Sequence, residues 1–172
     1  TVWQGETWHW SKHLEFLRFI ELPAESKIPL ELAVGGILQN DRNMLEEHGW
    51  RTVASSSLDD PESYRKYIRS SLGEFSAAKE QYVKSRSGWF SDRSVCYLAA
   101  GRPVIVQDTG FGNSLPTGKG LFSFLNRDEA LSAIEEVACD YAAHSAAAFE
   151  IAKQYFEAES VLGEICRKIG LL

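Results

Sequence analysis

Residues 28–34, IPLELAV, alternate apolar and polar side chains until Gly35 and Gly36 stop them, and period-two alternation predicts a strand. Asp41 to His48 reads as a short helix ended by Gly49, and Trp50 to Ala54 as a second strand. Asp60 precedes Pro61, which suits a first helical position, and Tyr64, Tyr67 and Ile68 then share one face. Residues 73–78, GEFSAA, read as a short strand. Ser91 to Ala100 reads as a helix capped by Ser91 or Asp92 and ended by Gly101. The run PVIVQ, 103–107, is the clearest buried strand, and GLFSF, 120–124, is another. Asn126 and Glu129 have capping-box spacing, and Ala130, Leu131, Ile134 and Val137 follow at helical intervals. An alanine-rich helix is expected from Tyr141 to Glu157, with Ser160 capping a last short one.

Alternation of strands with helices predicts an α/β fold: a Rossmann-like, three-layer, doubly wound parallel sheet with a C-terminal helical tail. The chain, 1–172, reads as one domain. In such a sheet ligands lie outside the carboxyl ends of the strands, so the loops after strands are where chemistry is sought.

Composition changes this picture little. The net charge of −6 argues against a nucleic-acid backbone as the main partner. No apolar run reaches the ~20 residues of a membrane helix, so no membrane span is expected. Cys96, Cys139 and Cys166 are widely spaced and form no metal or disulfide pattern; they are expected to be buried or partly buried thiols in a reducing, cytoplasmic compartment. The chain opens at Thr1 without an initiator Met, and is expected to be cut from a longer protein.

The glycine-rich stretch DTGFGNSLPTGKG, 108–120, follows the clearest strand but is not a nucleotide-hydrolysing loop. Five residues separate Gly112 from Gly118, and Gly120 rather than a hydroxyl residue follows Lys119. Two other places carry the pattern of an anion site. In HWSKHLEFLRF, Ser11 is the expected N-cap, which sets Lys12 and His13 beside free amides of a first helical turn; the alternative is that Lys12 is merely solvated and that His9, His13, Trp8 and Trp10 are packing groups. In KSRSGWFSDRS, a loop with Lys84, Arg86 and Gly88 runs into the helix capped near Ser91, where Arg86 and Arg93 offer bidentate groups to phosphate oxygens. The alternative is a surface loop whose arginines pair with carboxylates.

The same residues resemble the C-terminal, nucleotide-sugar-binding half of GT-B glycosyltransferases. The large retaining family with sucrose-synthase-like members carries P-S-R-x-E-G-F-G, four residues, then E-A-M-A-x-G-x-P-V-V. Laid over the chain without a gap, Ser85-Arg86 falls on S-R and Phe90 on F. Ala99 falls on the second alanine, Gly101 on the glycine and Pro103-Val104 on P-V. Asp108-Thr109-Gly110 is similar to the family's D-x-G, Gly5 and Lys12 to its upstream G and K, and residues 126–156 to its helical ending. The run R-S-G-W-F-S-D-R-S resembles a group of bacterial glycosyltransferase-like proteins.

The resemblance implies a transferase that takes a sugar from a nucleotide diphosphate donor, with this chain as the donor half and an N-terminal acceptor-binding domain of the same protein as its partner. Lys12 and Arg86 are expected on the diphosphate, with Gly88, Phe90, Ser91, Asp92 and Arg93 at the helix start and Asp108, Thr109 and Gly110 on the neighbouring loop. No cofactor and no metal are implied, because helix dipoles and Lys or Arg offset the leaving charge in that fold. Departures are visible. The family's two glutamates, which bond a sugar hydroxyl and the ribose hydroxyls, fall on Gly88 and Cys96, neither of which accepts as a carboxylate does, and an alanine falls on Tyr97. Asp92 is the carboxylate at the same helix start. A second expectation is a non-catalytic α/β ligand-binding or receiver-like module; a receiver would need acidic residues after its early strand, and LAVGGILQ has none.

Overall fold

The computed structural model describes Val2, Trp3 and residues 5–171. Strand β1 (Val2–Trp3) pairs antiparallel with β2 (Glu6–Thr7), followed by two short helices, α1 (His13–Leu17) and α2 (Leu22–Glu25). Strand β3 (Glu31–Val34) lies parallel to β4 (Arg51–Ala54), with α3 (Gln39–Glu47) crossing between them. Helix α4 (Pro61–Ser70) leads to a second parallel sheet, ordered β5 (Glu74–Ser76), β6 (Val104–Gln107), β7 (Leu121–Phe124). Helices α5 (Glu80–Ser85) and α6 (Asp92–Ala99) connect β5 to β6. Helices α7 (Arg127–Cys139), α8 (Tyr141–Phe156) and α9 (Ala158–Lys168) complete the chain.

Local rules account for most of these boundaries. Asp60 caps α4, its carboxylate accepting from the Glu62 and Ser63 amides at 3.0 and 2.9 Å. Asn126 Oδ1 accepts from the Glu129 amide at 3.0 Å, and Glu129 answers by accepting from the Leu125 amide at 2.7 Å. The box therefore closes one residue earlier than the usual form, which returns to the cap residue's own amide. Gly120 has φ +76°, and a Cβ there would stand 2.4 Å from the Ala148 amide nitrogen of α8, so only glycine lets β7 start this close to that helix.

Two expectations fail locally. Helix α9 starts at Ala158 with Glu157 at its N-cap, so Ser160 lies inside the helix and does not cap it. Cys96 and Cys139 are exposed, because each falls off the face its helix turns inward, whereas Cys166 is half-buried, as expected.

The architecture is mixed α/β, consistent with a Rossmann-like fold. The single doubly wound sheet expected from the alternation is instead two small parallel sheets of two and three strands. Strand β5 is only three residues long and makes its ladder to β6. Side chains join the sheets: the Phe75 ring lies 5.9 Å from Trp50 and 5.2 Å from Phe124. Strand β6 is buried along its whole length, with Ile105 in one apolar cluster and Val104 and Val106 in another. The first cluster gathers Phe19, Leu22, Leu45, Trp50, Phe124 and Ile134; the second gathers Ile68, Leu98, Leu121 and Ile151 from α4, α6, β7 and α8. Among the described residues, no helix is long and apolar enough to cross a membrane.

Candidate functional site

The carboxyl end of β5 and the start of α6 bring distant residues together. Glu74 and Ser76 are buried polar residues two apart on one face of β5, turned toward α6. Arg93, in the first turn of α6, donates from Nε to Glu74 Oε1 at 2.7 Å and from Nη2 to Ser76 Oγ at 2.8 Å. Lys12, just before α1, donates from Nζ to the same hydroxyl at 3.1 Å and holds its ammonium 5.5 Å from the Trp89 ring centroid. The indole in turn stacks on Tyr82 at 4.8 Å. Two cations thus converge on one serine. Burial, and next the positive Arg93, bring the Lys12 pKa down to about 8, against a smaller upward pull from Glu74.

Helix α1 is held by a second polar link. Gln107 at the end of β6 donates from Nε2 to the buried Glu15 carboxylate, while its Oε1 accepts from the Ala78 amide at 3.0 Å. Arg18 completes the charge balance of Glu15 at 2.7 Å. The strand end thereby fixes the helix that follows Lys12.

A second cluster adjoins the first through the loop that carries Trp89. Arg86 closes α5 in the left-handed region, φ 47°, and its guanidinium pairs with Asp108 Oδ2 at 3.0 Å. Asp108 Oδ1 accepts from the Gly110 amide at 2.7 Å. Gly110 has φ +91°, and a Cβ there would come 3.1 Å from the Arg86 carbonyl oxygen. The Gly88 amide donates to the Thr109 carbonyl at 2.8 Å, and Thr109 Oγ1 donates to the Trp89 carbonyl at 2.6 Å. The loop between α5 and α6 and the loop after β6 are therefore laced to each other. Between them and α6 lies a cavity of about 10 Å³, bordered by Ser76, Trp89, Phe90, Ser91, Ser94 and Gln107. That is the space of about one water. Ser94 Oγ is fully buried there with no hydrogen-bond partner among the described residues.

Several expected roles change. Ser11 does not cap α1: Lys12 itself occupies the N-cap position, and the helix is five residues long. Lys12 acts through its ammonium and not through a first turn of free amides. Ser91 sits at the N-cap of α6 without a side-chain cap bond. Its hydroxyl donates to Asp92 at 3.3 Å, and Asp92 Oδ1 also accepts from the Arg93 amide at 2.9 Å, so that carboxylate is engaged locally. Phe90 packs its ring between Phe111 and Phe156, at 5.3 and 5.7 Å, and anchors the loop to the core. Both arginines expected on phosphate are paired with carboxylates. Glu74, Ser76 and Trp89 are not among the site residues that the sequence predicts; the one available signal is a charged residue inside a short strand, GEFS. Among the described residues, no group of three or more His, Cys, Asp or Glu side chains could hold a metal ion.

Fold and site together define a mixed α/β protein with a cationic rim at its strand ends. No family model matches the chain, and comparison with curated proteins and with solved structures finds no significant match.

Proposed function

We propose that the chain is the donor-binding half of a glycosyltransferase, a Rossmann-like unit that holds a nucleotide diphosphate sugar for transfer to an acceptor. One observation carries the reading: Lys12 and Arg93, far apart in sequence, meet on Ser76 Oγ beside the start of α6, at the carboxyl end of β5. Cations and helix amides gathered at a strand end stabilise the charge that develops on a leaving diphosphate. Arg86, Gly88, Asp108, Thr109 and Gly110 form the wall beside it, and the glycine at 110 lets that loop close on the Arg86 carbonyl. No metal is needed for this role, and the acceptor is expected on an N-terminal domain of the same protein. A cytoplasmic setting goes with this reading and with three unpaired cysteines.

A second reading, a non-catalytic α/β ligand-binding module, is favoured by two observations. Both arginines are already ion-paired, and Gly88 and Cys96 stand where the transferases that the sequence resembles have glutamates.

Titration of the chain with UDP, GDP and dTDP by calorimetry tests the first reading. At least one is expected to bind, and Lys12→Met is expected to weaken it by ~1.5–3 kcal/mol, the scale of a hydrogen bond to a charged group. Absence of binding by all three at millimolar concentration removes the donor site. A nucleoside that binds as tightly as its diphosphate removes the role of Lys12.

A further inference from the structure

Two carboxylates stand inside the cationic rim. Glu74 is buried, its Oε1 on Arg93 and its Oε2 without a partner among the described residues. Asp108 is largely shielded and pairs with Arg86, which is itself more than half exposed. Lys12, Arg86 and Arg93 therefore face two built-in negative charges; with Asp92 at the helix start and Lys79 near Lys12 adding one charge of each sign, the net charge of these groups is one positive. These carboxylates are placed with care: Glu74 takes the guanidinium Nε while Ser76 takes Nη2, and Asp108 is oriented by the Gly110 amide.

We propose that Glu74 and Asp108 are internal counter-anions that set the specificity of the diphosphate site, favouring the sugar-bearing donor over the free nucleoside diphosphate left after transfer. This rests on the donor reading above. The chemistry is one of charge. In the donor both phosphates are esterified, and each carries one negative charge. Release of the sugar frees a terminal phosphate, whose second ionisation lies near pH ~6, so the product carries about one further negative charge at neutral pH. A rim with three uncompensated cations would attract that extra charge strongly and retain the product. A rim with one does not. Glu74 and Asp108 thus weaken binding of the product more than binding of the donor. Neither has to move, because each acts through its field at short range, where salt screens it least.

The test uses the 172-residue chain and the variants Glu74→Gln, Asp108→Asn and both together. Asn at 108 keeps an oxygen for the Gly110 amide at a partly exposed pair, so this variant retains the fold even if the buried Glu74→Gln does not; circular dichroism reports on both. Whichever of UDP, GDP or dTDP binds is titrated beside its hexose ester, UDP-glucose, GDP-mannose or dTDP-glucose. Each single variant is expected to bind the free diphosphate about three- to tenfold tighter, with a smaller gain for the ester. Binding by the wild type with an unchanged ratio of the two ligands, or weaker binding of the free diphosphate by Asp108→Asn, overturns the counter-anion role and leaves the donor site standing. Failure of every form of the protein to bind either ligand removes the donor site, and the counter-anions with it.

Discussion

Lys12 is an ammonium held where water is scarce, between Ser76, the Trp89 ring and the like charge of Arg93. Burial lowers its pKa from 10.5 to about 8. The sign of the linkage follows. Between those two pH values the unfolded chain binds more protons at Lys12 than the folded one, so the lysine's contribution to stability rises with pH across that window. Below pH 8 the folded protein carries the full cost of burying the charge. Lys12→Met is therefore expected to raise the urea midpoint at pH 7, with the gain fading as pH climbs from about 8 toward 10.5. A gain independent of pH would show that packing and not charge sets it. Diphosphate affinity is expected to fall as pH rises through about 8, since the neutral amine no longer attracts the anion. Lys12 could be singled out in the sequence because a cation near an expected helix start is unusual. Its true partners could not, because Ser76, Trp89 and Arg93 come from segments that only folding brings within reach.

At the scale of elements, caps and glycines were the readable features. The sequence places Asp60 before Pro61 and Asn126 three residues before Glu129, and both pairs cap the helices expected of them. Asn126→Ala is expected to cost about 1 kcal/mol, the usual value for an N-cap, and chemical denaturation measures it. Glu129 would then keep only its bond to the Leu125 amide, so a fraying first turn of α7 should show as faster amide exchange there. Ser11 and Ser160 have the same residue type as a cap and do not act as one. Ser, Thr, Asn and Asp bond whichever backbone or side-chain group is nearest, and the choice depends on where the chain enters the helix. Strands were legible by position but ran shorter than their apolar runs: Ile28 and Pro29 precede β3, while Leu30 and Pro103, just before β3 and β6, lend only a carbonyl to the first amide of the neighbouring strand.

In the whole molecule, side-chain packing couples what the backbone ladders leave separate. Trp50 follows α3 on the first sheet's side, Phe75 and Phe124 belong to the second sheet, and Phe19 comes from the N-terminal segment; all share one cluster. Phe124 is fully buried there, and Phe124→Ala is expected to cost about 3–5 kcal/mol. Native-state hydrogen exchange should show that loss in the β3–β4 ladder as well as in β5–β6–β7. Loss confined to the second ladder would mean that the sheets unfold separately. The sequence by itself determined the alternation of strands and helices, the principal caps and the cationic loops, because each is a local preference written in neighbouring residues. Only the tertiary structure decided that the strands form two small sheets, that Lys12 meets Arg93 on Ser76, and that Glu74 and Asp108 sit among the cations. Those outcomes depend on contacts between distant segments, where ladder pairing, burial and charge compete, and no local pattern records which prevails.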